Sequence, residues 1–132
     1  MGWGIGAAVG TALAKPKVPV VCLVGDGGFL MNGQEITVAV AEKLPVIYMI
    51  LNDSNYSMVK HRHQQVSEID IPFSFPSVDF SAMAKAMGAD GHTVRNISDL
   101  EALDIQAICE REGPTVLDIY IDAAVKPPMG MF

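Results

Sequence analysis

The chain has 132 residues, half of them hydrophobic, which is material for one domain with a sizeable core and no more. Its formal net charge of −6 argues against non-specific nucleic-acid binding. No apolar run reaches the roughly 18 residues a membrane span needs, and the apolar N-terminal stretch, broken by Gly and Lys with no basic segment before it, does not read as a signal peptide.

Gly2 to Leu13 reads as a helix of small residues, with Ile5, Ala8, Val9 and Ala12 at helical spacing. Glycine is costly inside a helix, so the several glycines here point to close approach of another backbone or a cofactor. Lys15-Pro16-Lys17 ends this helix. Val20 to Val24 and Val46 to Leu51 are nearly unbroken β-branched or apolar runs, expected to be strands buried on both faces of a parallel sheet. Between them, Asn32 to Lys43 is expected to be a helix, with Asn32 and Glu35 as its capping box. Ser54 to Gln65 reads as a turn and a short helix, and Glu68 to Ser77, with Pro72 and Pro76, as a loop. Asp79 is expected to cap a helix that Gly88 stops. His92 to Val94 reads as an edge strand. Ser98 and Glu101 suggest another capping box, opening a helix to about Arg111. Thr115 to Ile121 alternates, which suggests a less buried strand. From Lys126 the tail is expected to be loose or partner-bound. Cys22 in a strand and Cys109 in a helix read as reduced core thiols of a cytoplasmic protein, and most of the eight methionines as core filler.

The chemistry concentrates at two strand ends. Gly25-Asp26-Gly27 closes the first run and Asn52-Asp53 closes the second, with 24 residues between Gly27 and Asn52. A strand–helix–strand unit brings both ends to the same edge of the sheet, where open α/β folds bind ligands. Oxygen-rich residues there suit a hard divalent cation such as Mg²⁺, which often also takes phosphate oxygens from its ligand.

This motif and its flanking text resemble the diphosphate motif of thiamine diphosphate (ThDP) enzymes, and most closely their acetolactate synthase-like branch, decarboxylases and carboligases of 2-oxo acids. The resemblance runs from Met1-Gly2-Trp3-Gly4-Ile5-Gly6 through Gly25 to Met31 and Leu51 to Val59, and on to Asp79-Phe80 and Gly113-Pro114-Thr115. It implies a three-layer ThDP-binding fold, α/β with a mostly parallel sheet flanked by helices. It assigns Asp26 and Asp53 as side-chain metal ligands and Asn55 as the residue whose backbone carbonyl completes the protein's share. Gly25, Gly27 and Gly28 would approach the diphosphate, Asn52 would shape the turn and donate to a phosphate oxygen, and Met1 and Met58 would line the cofactor cleft. The pair here is Asn-Asp and not the commoner Asn-Asn, a change that keeps an oxygen ligand.

The resemblance further implies that residues 1–132 are a single diphosphate-binding domain truncated at its N-terminus. In the family another domain holds the aminopyrimidine ring and supplies an activating glutamate, so the chain is expected to be inactive alone. A homodimer or higher oligomer and a pyrimidine-binding subunit are the expected partners. Glu35 is expected to be a cap or core hydrogen-bonding group and not that glutamate. His61 and His63, with Lys60 and Arg62, read as a solvated basic patch, because alternate positions on a helix do not share a face. Two other functions remain open on the residues alone. A Rossmann-like dinucleotide module would use Gly2, Gly4 and Gly6 and then Asp26, but it needs a strand before the glycines and leaves Asn52-Asp53 without a role. A non-catalytic structural or interaction domain is the third.

Overall fold

In the computed structural model, which describes residues 1–125, the apolar runs become the framework. Strand β1 (Val20–Gly25) pairs with β2 (Val46–Asn52), β2 with β4 (Thr115–Tyr120), and β4 with β3 (Asp90–Val94), all parallel, in the order β1-β2-β4-β3. Helices lie on both faces of this sheet, as parallel crossovers require. The main core joins α1 (Trp3–Ala14), α2 (Asp26–Asn32), α3 (Ile36–Ala41) and α5 (Phe80–Ala86) to one face, around Phe29, Tyr48, Ile50 and Phe80. A smaller cluster on the other face packs Ile108, from α7 (Ile105–Glu110), on Ile47 and Leu117. Helices α4 (Ser57–Val66) and α6 (Ile97–Glu101) complete the described chain. The expected three-layer, mostly parallel α/β architecture is the one found. Cys22 is buried and Cys109 half-buried, both free, and burial pushes the Cys22 thiol above its ordinary pKa.

Several local expectations need correction. Strand β1 is not buried on both faces. It is an edge strand, and Val21 and Leu23 on its outer face are 59% and 64% exposed. The helix expected from Asn32 is two helices joined by a 3-10 turn at Gly33–Glu35, and the first begins at Asp26, directly from the strand. Asn32 makes no side-chain cap, so its capping box does not form. The helix expected from Ser98 to Arg111 is likewise two short helices. Their side-chain caps are Asn96 and Asp104, which accept from Asp99 N and Ala107 N. Strand β4 is central and not peripheral, and its polar Thr115 and Asp118 are among the most buried residues. By contrast, Asp79 caps α5 by accepting from Ala82 N, and Gly88 follows that helix at φ 88°. The tail from Lys126 lies outside the described residues.

Candidate cofactor site

The register of β1 against β2 sets Gly25 beside Leu51, so the loops that follow leave the sheet side by side. Asp26 bridges them. Its Oδ1 accepts from Gly27 N at 2.6 Å, and its Oδ2 accepts from Asp53 N at 3.0 Å and Ser54 N at 2.8 Å. Asp53 organises the next turn. Its Oδ1 accepts from Asn55 N at 2.9 Å, and its Oδ2 from Ser57 Oγ at 2.5 Å. Ser54, whose N–H donates to Asp26, takes the left-handed φ of 54°, uncommon for a residue with a side chain.

The two carboxylates are close. Standard bond lengths keep a carboxylate oxygen within about 5 Å of its own backbone nitrogen. With Asp53 N 3.0 Å from Asp26 Oδ2, the Asp53 carboxylate lies within about 8 Å of that oxygen. Burial raises the pKa of Asp26, the three N–H bonds oppose that rise, and the Asp53 charge adds to it. A cation placed between the loops would relieve both the burial cost and the mutual repulsion.

Beside these loops lies a cavity of about 350 Å³ whose lining includes Met1, Gly25, Asp26, Gly27, Gly28, Asn55 and Met58. Most residues assigned to the cofactor from sequence are therefore brought together. Asn52 and Asp53 do not line the cavity: Asp53 stands behind Asn55 and Ser57, to which it is hydrogen-bonded. Asn52 is 1% exposed and sits beneath the turn, with its NH₂ donating to Val78 O at 3.3 Å and Asp118 Oδ1 at 2.9 Å. Both amide hydrogens are committed inward, so the expected donation to a phosphate is replaced by turn shaping. The Asn52 side-chain Oδ1 accepts from Ser54 N and Ser54 Oγ.

The sequence reading missed three contributors. Tyr56 lies over Gly27, where an added Cβ would come within 2.9 Å of its ring, so packing alone already requires this glycine. Ser57 locks Asp53. Asp118 holds Asn52. The position of Tyr56 and Ser57 three and four residues after Asp53 is a usable signal; Asp118 has none. His63 is not solvated freely, since its Nε2 is 2.7 Å from Ile69 O and its ring packs on Phe73. Neither it nor His61 lines the cavity.

The donor set fits a hard cation. Among the described residues no group of three or more His, Cys, Asp or Glu could cage a metal by itself. Mg²⁺ does not require one, because it commonly binds one or two carboxylates plus ligand phosphates.

Fold and site together define an α/β domain with a cofactor cleft at the carboxyl ends of parallel strands. Residues 1–119 match the family model for the thiamine pyrophosphate enzyme C-terminal TPP binding domain, and the chain belongs to that family. The cofactor of that family is ThDP. An acetolactate synthase large subunit of Mycobacterium tuberculosis, so named provisionally, is 39% identical over 132 residues, covering 99% of this chain and 24% of its own. Acetolactate synthase isozyme 2 large subunit of Escherichia coli is 32% identical over 130 residues, covering 92% of this chain and 22% of its own. Among solved structures, the ThDP-dependent 4-hydroxybenzoylformate decarboxylase of Rhodococcus jostii superposes with a TM-score of 0.82 at 27% identity, covering 94% of this chain and 24% of that one. The chain thus spans about a quarter of the length of these relatives. Among the described residues no helix is long and apolar enough to cross a membrane.

Proposed function

We propose that this chain provides the diphosphate-and-Mg²⁺ half of a ThDP-dependent, acetolactate synthase-like 2-oxo acid decarboxylase or carboligase. The observation that carries the reading is the Asp26 carboxylate, 4% exposed at the cavity and tied by Oδ2 to the backbone of the Asn52–Asn55 turn. Asp26 and Asp53 would ligate Mg²⁺ by their carboxylates and Asn55 by its backbone carbonyl. Gly25, Gly27 and Gly28 would admit the diphosphate to the floor of the cavity, with Met1 and Met58 on its walls. The bound cofactor supplies an electron sink for loss of CO₂ from a 2-oxo acid. The chain's own share is to anchor the charged end and to hold the cation's ligands in place before it arrives. Activity would require a pyrimidine-binding domain or subunit.

A homodimer or higher oligomer is part of the same proposal. Trp3, Gly6, Gly10 and Leu13 are spaced along one helical face of α1, all exposed, with Trp3 at 81%. Among the described residues nothing lies within 4 Å of where a Cβ on Gly6 or Gly10 would be, so no described neighbour explains these glycines. A partner helix would.

Thermal unfolding of the chain tests the cofactor reading. ThDP and Mg²⁺ together should stabilise it, by about 2.7 kcal/mol at a hundredfold excess over Kd, and Asp26→Ala should abolish the effect. A shift with NAD and none with ThDP plus Mg²⁺ would refute it.

A further inference from the structure

We infer that Asp118, on the central strand and outside the cofactor motif, is a positioning residue that sets the Asn52 amide and, through it, the shape of the Asn52–Asn55 turn. The inference rests on the reading of that turn as the metal loop. Asp118 is fully buried. Its Oδ1 accepts from Asn52 Nδ2 at 2.9 Å and its Oδ2 from Phe80 N at 3.1 Å, at the start of α5. An ionised carboxylate offers only acceptors. Together with Val78 O it forces the Asn52 NH₂ inward and the Asn52 carbonyl outward, toward Ser54. Ser54 N then stands between two acceptors, Asn52 Oδ1 at 3.2 Å and Asp26 Oδ2 at 2.8 Å. A chain of hydrogen bonds therefore runs from the sheet centre to the proposed ligand Asp26, and every link has one permitted direction.

That directionality makes the role testable. In Asp118→Asn, one of the two oxygens becomes an NH₂. The backbone N–H of Phe80 cannot turn, so the new NH₂ faces Asn52. Asn52 must flip to meet it, and its own NH₂ then confronts the Ser54 donors. Adding Asn52→Asp restores an acceptor toward both Ser54 and the new NH₂, and its cost falls at Val78 O, where the 3.3 Å donated bond is replaced by two facing acceptors.

The experiment has two readouts. The ¹⁵N–¹H resonances of Asp53 and Ser54 are recorded in the ligand-free chain, and the Mg²⁺ Kd is measured by titration calorimetry with ThDP present. Asp118→Asn should displace the Ser54 resonance and weaken Mg²⁺ by about 10- to 100-fold, as loss of a group orienting a metal ligand does. The double variant Asn52→Asp/Asp118→Asn should return both most of the way to wild type. An Asp118→Asn chain that loses thermal stability but keeps the Ser54 resonance and Mg²⁺ affinity would overturn the inference. So would a double variant no better than the single one. If Asp118→Asn does not fold, the double variant alone decides, since it must fold with an undisplaced Ser54 resonance. If the wild-type chain ignores ThDP and Mg²⁺, the cofactor reading fails, while the ligand-free resonances still judge Asp118.

Discussion

Asp26 and Asp118 are carboxylates that the fold keeps out of water and then surrounds with N–H donors. For both, burial outweighs those donors, and the pKa stands above the ordinary 3.8. In the ligand-free protein each folded carboxylate therefore holds its proton more tightly than the unfolded chain does. The stability contributed by a raised acid is fully present below its unfolded pKa and is lost as pH rises through its folded pKa. Asp90 acts oppositely. Burial pushes it up, but the Gly91 N–H and His92 outweigh this and leave its pKa lowered, so its contribution is lost as pH falls through that value. Urea midpoints of the ligand-free chain, measured against pH, should carry a component that falls as pH rises from the ordinary carboxylate value through the raised folded values of Asp26 and Asp118. In Asp118→Asn that component should shrink. A variant whose pH profile simply parallels the wild type would contradict the assignment.

Glycines separate two kinds of element contact. A Cβ on Gly91 of β3 would come within 2.5 Å of the Ser81 backbone oxygen in α5, where neither element can give way. Gly91→Ala should destabilise by about 1–3 kcal/mol, the range for overpacking. Gly6→Ala on the open face of α1 should instead stabilise the dilute chain by about 0.5–1 kcal/mol through helix propensity. Denaturant unfolding of the two variants checks both signs. These contacts also explain how far the sequence could be read. The apolar runs reported β1 and β2, and the motif spacing reported their common edge, because both are local patterns. Periodicity states what a strand can tolerate, not what covers it, so the exposure of Val21 and Leu23 was illegible. At the break after Asn32 the Phe29 ring lies 2.7 Å from where a Gly33 Cβ would be, so only glycine fits there, a packing detail that composition does not show. Of several plausible caps between Arg95 and Asp104, turn geometry selected Asn96 and Asp104. Asp118 meets its partners across 38 and 66 residues, which no spacing rule can reveal.

At the scale of the molecule, the proposed division of labour predicts no turnover of pyruvate by the isolated chain, even with ThDP and Mg²⁺ in excess. Decarboxylation above the free-cofactor background that disappears in Asp26→Ala would disprove it. Self-association should be visible by light scattering at micromolar concentration. Replacing Gly6 and Gly10 by Leu should return the mass to that of a monomer, because a partner helix can approach only where side chains are small. A wild-type monomer would instead leave the exposed α1 face without a partner of its own kind.

The position of β4 carries a kinetic consequence. It is last in sequence among the described strands, yet it lies between β2 and β3, with Ile47 to Asn52 on one side and Asp90 to Val94 on the other. Long-range parallel pairing of this kind forms slowly, since loop closure precedes any return from contacts. Until β4 inserts, the Asn52 amide and the Phe80 N–H lack the acceptor that fixes them. Binding competence should accordingly emerge in the final phase of refolding, together with burial of Asp118 and after the β1–β2 unit has formed. The cofactor loop would then serve as a natural clock for completion of the sheet, readable by adding ThDP and Mg²⁺ at successive delays in a stopped-flow experiment.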